Sequence, residues 1–271
     1  MTYCLAIKVE EGLLLLADGR ITSGNQVTNA SKVSLHGPTQ NTAQNVAATA
    51  AGSALPGKQA FSVMTSGLRS LRDKTLSYLD RDLKSPDAPK LRNMLDAVAI
   101  YSRCLRQVAE EDRGAISESE LSFNLHAIVA GQLSDDATPT AYLVYPEGNW
   151  IEIGQRTPYL SIGSTAYGKP ILDRGLTYDT PMLTALKLAY LSFDSTRLSA
   201  ADVGFPIDVL TLSSEDSGWR QAHYDYDDLR DQRVWWNEHL KQLANEMPDG
   251  PWAERLVPGH DPKRLKLVSD D

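Results

Sequence analysis

The stretch Leu5-Ala-Ile-Lys-Val9, Glu10-Glu11-Gly12, Leu13-Leu-Leu-Leu-Ala17 constrains the fold more than any other part of the chain. Two apolar runs meet at a turn so tight that they must pair as an antiparallel hairpin. A strand with one wet face alternates apolar and polar residues, and these runs do not. The hairpin is therefore covered on both faces, which calls for a second sheet on one side and helices on the other. With the turn centred near Glu10-Glu11, paired positions sum to about 21 to 23, which puts Asp18 across from Tyr3 to Leu5. Strands about 5 Å apart then return the Asp18 carboxylate to within about two residues of Thr2.

The remaining pattern fills in the layers. Lys32 to Leu35 and Ala60 to Met64 read as strands, with residues 37–58 between them as a surface insertion that offers no regular apolar face. Leu68, Leu71, Leu76, Leu79 and Leu83 keep helical spacing, as do Leu91, Met94, Leu95, Val98, Leu105 and Val108. Ser85-Pro86-Asp87-Ala88-Pro89 separates the two sets and predicts a helical hairpin. Strands follow at Phe123 to Ala130, at Ala141 to Ile153 folded at Pro146 to Asn149, and at Leu160 to Ile162. Then come a helix over Thr180 to Phe193, a strand over Ile207 to Leu212, and a helix over Tyr224 to Met247. This order is α+β and predicts a four-layer αββα sandwich of two antiparallel sheets flanked by helices. The chain reads as a single domain, 1–271, with residues 213–271 as a C-terminal extension carrying a helix.

Composition removes several function classes. A net charge of -8, with no long basic run, argues against an extended nucleic-acid footprint. Lys8, Glu10 and Glu11 interrupt any signal-peptide core, and no apolar run reaches the length of a membrane span. Cys4 and Cys104 form no metal spacing and no disulfide framework, so reduced thiols in a cytoplasmic protein are expected. The histidines, His36, His126, His223, His239 and His260, lack paired ligand spacing, and no metal or cofactor is expected. Gly163 to Lys169 imitates a phosphate loop, but Pro170 stands where the magnesium-holding Ser or Thr is needed. Asp225, Asp227, Asp228 and Asp231 suit a solvated helix start better than a calcium site.

What remains is the threonine at position 2. If Met1 is removed, Thr2 carries a hydroxyl and a free α-amine on one residue, a nucleophile joined to its own base. An α-amine titrates near pH 7.7–8.0 in its ordinary state, whereas a lysine sits near 10.4. A lysine nearby lowers the amine further through like-charge repulsion, and a carboxylate holds that lysine charged and oriented. The competing reading is plain: a threonine after Met1 that does nothing, and an Asp18-Gly19 pair that merely turns.

The longer series of residues separates the two. Thr2-Tyr3-Cys4-Leu5, Ala17-Asp18-Gly19-Arg20, Gly24 and Ser31-Lys32-Val33 resemble the N-terminal segment of proteasome-type β-subunits, which are N-terminal-nucleophile hydrolases. Within them the chain looks most like Anbu, the bacterial ancestral β-subunit. Thr65-Ser66-Gly67, Phe123-Asn124-Leu125-His126, Gly131-Gln132, Leu143 to Pro146, Gly148-Asn149 and Tyr167 to Arg174 continue the likeness. It ends with Asp194-Ser195-Thr196 and Gly204 to Asp208. The resemblance implies Thr2 as nucleophile, with Asp18 and Lys32 as the pair that tunes it and Arg20 in support. It implies a backbone N–H at Gly67 for the oxyanion, a supporting hydroxyl at Ser164 or Thr165, and a second supporting pair near Asp194 and Ser199. It implies peptide or unfolded-protein substrates and a homo-oligomer, as a ring or an open spiral; an ATP-driven unfoldase is a partner class that the sequence neither selects nor excludes. Two rivals stay open: a catalytically silent assembly subunit of the same fold, and an N-terminal-nucleophile amidohydrolase for small amides.

Overall fold

The computed structural model describes residues 2–23, 26–37, 54–55, 60–215 and 218–257. Met1, Gly24, His260 and most of the stretch 37–58 lie outside the described residues. In chain order the first elements are β1 (Tyr3–Val9), β2 (Gly12–Asp18), β3 (Arg20–Ser23), β4 (Gln26–Asn29), β5 (Val33–His36), β6 (Ala54–Leu55) and β7 (Phe61–Gly67). Helices α1 (Arg69–Lys84) and α2 (Met94–Glu118) follow, then β8 (Leu125–Gly131), β9 (Thr140–Val144), β10 (Trp150–Glu152) and β11 (Tyr159–Gly163). The rest are α3 (Lys169–Gly175), α4 (Met182–Ser199), β12 (Ile207–Ser213), β13 (Trp219–Tyr224), α5 (Arg230–Glu246) and α6 (Ala253–Leu256).

Among the described residues three sheets form, and every strand pair in them is antiparallel. One has the order β11-β1-β2-β12-β13-β6, the second β10-β9-β8-β7-β5, and the third is the β3-β4 hairpin. The mixed helix and antiparallel-sheet content is as expected. The all-apolar first hairpin is explained by its two faces. Cys4, Ala6, Leu13, Leu15 and Ala17 point into a core shared with Met64, Ile128, Ala130 and Ala141 of the five-stranded sheet. Tyr3, Leu5, Ile7, Leu14 and Leu16 alternate with them and are equally buried, on strands against which α4 packs. Each of those leucines contributes about 1.5–3 kcal/mol on full burial.

The five-stranded sheet has a second core on its other face. Phe61, Val63, Leu125, Ala127 and Val129 meet Leu71, Leu79, Met94, Val98, Tyr101 and Leu105 of α1 and α2. Helix α2 starts at a capping box, in which the Asn93 side chain accepts from the Asp96 N–H and the Asp96 carboxylate accepts from the Asn93 N–H.

Several boundaries differ from expectation. The β3–β4 hairpin, α3 and β13 were not anticipated, because Arg20–Ser23 and Gln26–Asn29 are short and polar and carry no apolar alternation. Tyr224 closes a strand instead of opening a helix; Asp228 accepts from the Asp225 N–H in the turn that follows, and α5 begins at Arg230. The chain divides into two compact units, residues 1–228 and 229–271. In the second, α5 carries Val234, Trp235, Leu240 and Leu243 exposed, and Trp235 stacks on His239. No helix among the described residues is long and apolar enough to cross a membrane.

Candidate active site

The β1–β2 register fixes the site. Cys4 lies opposite Ala17, so the next step outward puts Asp18 beside Tyr3. There the Asp18 Oδ1 accepts the Tyr3 backbone N–H at 2.8 Å, so the strand end is closed by a side chain. The same oxygen takes the Lys32 Nζ at 2.6 Å, and Oδ2 takes the Gly204 N–H at 3.3 Å. Asp18 is fully buried and the Lys32 side chain is 5% exposed, so this ion pair sits in a low-dielectric interior. Burial pushes the Asp18 carboxyl above its ordinary value, against the pull of Lys32 and of the Tyr3 and Gly204 N–H groups.

Thr2 is held on its carbonyl side. The Ser164 N–H donates to the Thr2 carbonyl at 2.7 Å. Gly163 must be glycine for that approach: its φ is +89°, and a Cβ would lie 1.8 Å from the Thr2 oxygen. The Ser66 hydroxyl would lie 3.3 Å from that same Cβ, which brings the Ser66-Gly67 step next to Thr2. Gly67 also has φ +137°, and a Cβ there would meet the Asn124 carbonyl at 1.9 Å. Thr2, Asp18, Lys32, Ser164 and the Gly67 step therefore gather at one end of the two sheets. Thr165 is half-buried, and its carbonyl accepts the Lys169 N–H at the start of α3.

The other expected residues sit apart from this cluster. Arg20 donates to the Ala201 carbonyl at 2.9 Å and packs on Gly204, so it reaches Asp18 only through the loop at 200–206. That loop, with Arg20, Asn29, Arg197 and Tyr226, lines an open cavity of about 570 Å3. Asp194 is buried inside α4 and pairs with Arg197 at 2.6 Å. No hydrogen bond joins Asp194 to Thr2, Asp18 or Lys32 among the described residues. Ser199 is exposed at the last position of α4. The loop after that helix reaches Asp18 through the Gly204 N–H.

Two contributors were missed. The Gly204 N–H left no sequence signal, because every residue except proline carries a backbone N–H. Asp208 did leave one. It shares parity with the core residues Leu210 and Leu212, so its carboxylate had to be buried and partnered. Among the described residues, no group of three or more His, Cys, Asp or Glu side chains could hold a metal ion. His126 is half-buried, with Nδ1 3.1 Å from the Asn124 side-chain oxygen and a pKa lowered by burial.

Comparison with known proteins bears on this geometry. No family model matches the chain, and no curated protein does. Solved structures match it over nearly its whole length. The helical assembly of the Anbu complex from Pseudomonas aeruginosa is 29% identical, with a TM-score of 0.78 over 93% of this chain and 99% of that one. An Anbu (Gly-1) mutant from Hyphomicrobium sp. strain MC1 is 28% identical, with a TM-score of 0.78 over 92% and 99%. The chain is similar to Anbu, a proteasome-type subunit, over nearly its whole length. Anbu from Yersinia bercovieri agrees, at 27% identity and a TM-score of 0.77 over 92% of this chain and 98% of that one. At 92–93% of this chain, the Anbu likeness extends well past the described site.

Proposed function

We propose that this Anbu-like chain is a threonine peptidase with Thr2 as nucleophile and the Thr2 α-amine, once Met1 is removed, as base. One observation supports it most: a single buried oxygen of Asp18 holds both the Lys32 ammonium and the N–H of Tyr3, the residue next to the one that would react. The Thr2 hydroxyl oxygen attacks the substrate carbonyl while its proton passes to the α-amine. The tetrahedral oxyanion accepts a hydrogen bond from the Gly67 N–H. The C–N bond breaks, the departing amine takes the proton back, and an ester remains on Thr2. Water, deprotonated by the α-amine, then attacks that ester; the acid leaves and the Thr2 hydroxyl is restored.

Lys32 lowers the affinity of the α-amine for its proton, which keeps the base free near neutral pH. Ser164 supports the site from its place against the Thr2 carbonyl, with Thr165 beside it, and Arg20 acts through the 200–206 loop. The fold in this reading is the four-layer αββα sandwich of N-terminal-nucleophile hydrolases, forming a single domain, 1–271, with residues 37–58 as an insertion and 213–271 as an extension. The enzyme works in the cytoplasm on peptides or unfolded chains.

Thr2→Ala is expected to abolish covalent labelling by an electrophile directed at N-terminal threonine; labelling that survives refutes the assignment. We further propose a homo-oligomer, supported by the helical assembly of the Pseudomonas aeruginosa relative and by the exposed apolar residues of α5. Replacing Trp235 and Leu240 with Glu is expected to lower the molar mass in light scattering, and a monomeric parent protein at micromolar concentration counts against the oligomer.

A further inference from the structure

Lys32 poses a mechanical problem. Its side chain has four rotatable bonds, so the ammonium stays on Asp18 only if the backbone that launches it is fixed. Residues 30–32 lie between β4 and β5 with no strand ladder of their own. The Ala30 N–H reaches the Gly19 carbonyl at 2.9 Å, and beyond that the next anchor is a side chain. The Ser31 hydroxyl lies 2.7 Å from the Asp208 Oδ2 and 3.0 Å from the Val33 carbonyl, and it accepts the Val33 N–H at 3.3 Å.

Asp208 suits that task. It lies on β12 directly opposite Ala17, one residue before Asp18, and Ile207 lies opposite Asp18 itself. It is buried at 4% exposure, so an unpartnered carboxylate there would be costly. Both of its oxygens are engaged: Oδ2 with Ser31, and Oδ1 with the His223 Nδ1 at 2.7 Å on the neighbouring strand β13. The His223 ring is partly exposed and forms the outer end of the chain His223–Asp208–Ser31.

We propose that Asp208 is the positioning residue for Lys32, clamping Ser31 and held in turn by His223. Its effect on rate rests on the peptidase reading above, but its effect on Lys32 does not. The strand that carries Asp208 is thus the common reference for both members of the ion pair. Ile207 and Asp208 pair with the strand bearing Asp18, and the Asp208 carboxylate ties down the loop bearing Lys32.

The test uses the full chain and two separate readouts. The first is the rate at which the Lys32 amine is acetylated by acetic anhydride, read by peptide mass spectrometry against the other lysines as internal standards. Ser31→Ala and Asp208→Asn are each expected to raise that rate roughly fivefold, and Ser31→Thr, which restores the hydroxyl, to return it to the parent value. The second is labelling of Thr2 by its electrophile, which is expected to fall about tenfold in Ser31→Ala and Asp208→Asn and to recover in Ser31→Thr. Ser31 is exposed, so its variants keep the test sound if Asp208→Asn fails to fold. Lys32 reactivity unchanged in Ser31→Ala overturns the proposal. Failure of the parent protein to label at Thr2 would sink the peptidase reading instead, and Lys32 reactivity would still decide the role of Asp208.

Discussion

Asp18 and Asp194 are both carboxylates without solvent exposure, and each holds a cation, yet their surroundings differ. Asp18 engages both oxygens, with Lys32 and the Tyr3 N–H on one and the Gly204 N–H on the other. Its partners come from three separate places in the chain, and all converge beside Thr2. Asp194 uses one oxygen, for an arginine three residues along the same helix, while its Oδ2 is buried with no hydrogen-bond partner among the described residues. That arginine in turn faces the Phe205 and Tyr226 rings. Burial and pairing alone therefore do not mark a reactive site. What sets Asp18 apart from Asp194 is the convergence of distant segments on it, whereas a local helix pair needs no tertiary assembly to exist.

The sharpest way to break this contrast is to remove Lys32. Lys32→Ala leaves Asp18 buried without its cation and is expected to cost about 3–5 kcal/mol in denaturant unfolding. The same variant should slow labelling of Thr2 by about 10²-fold or more, if the amine depends on that charge. The double variant Asp18→Asn, Lys32→Met separates the two effects: stability returns most of the way while labelling stays low, since neutral residues remove the desolvation penalty. A smaller effect is expected at the other carboxylate. Asp194→Asn should cost about 1–3 kcal/mol and leave the Thr2 labelling rate within about twofold of the parent protein. A large loss of labelling there would erase the distinction drawn between the two sites.

The smallest expected effect concerns pH. Because the folded chain holds the Asp18 proton to higher pH than the ordinary value of 3.8, the unfolded chain binds fewer protons between the two values. The contribution of Asp18 to stability accordingly falls as pH rises through that window. Unfolding measured from pH 4 upward in the parent and in Asp18→Asn should show the difference between them shrinking as pH rises; a growing difference would mean that Lys32 outweighs burial.

Much of the site was legible because the first hairpin leaves no freedom. Strands buried on both faces and joined by a tight turn fix a register, and the register returns Asp18 to Tyr3. Lys32 and Gly67 followed from the likeness of short motifs. What stayed hidden is what sequence encodes least: the backbone amide of Gly204, the polar strands β3 and β4, and the end of α4. There Asp194 and Ser199 were picked by position in a motif, whereas the helix turns Asp194 inward and leaves Ser199 exposed. Asp208 was legible in principle, as a charge on the inward face of an apolar strand. Of residues 37–58, only 37 and 54–55 fall within the described parts, and Ala54–Leu55 pairs with Trp219 and Arg220 at the edge of the large sheet.

The two contacts that pin the first strand at its start, Ser164 on the Thr2 carbonyl and Asp18 on the Tyr3 amide, both lie downstream of the Thr2 nitrogen. Trimming the chain just before that nitrogen would break neither of them. Removal of Met1 would thus change the chemistry at the Thr2 nitrogen without disturbing the two contacts that hold the strand behind it.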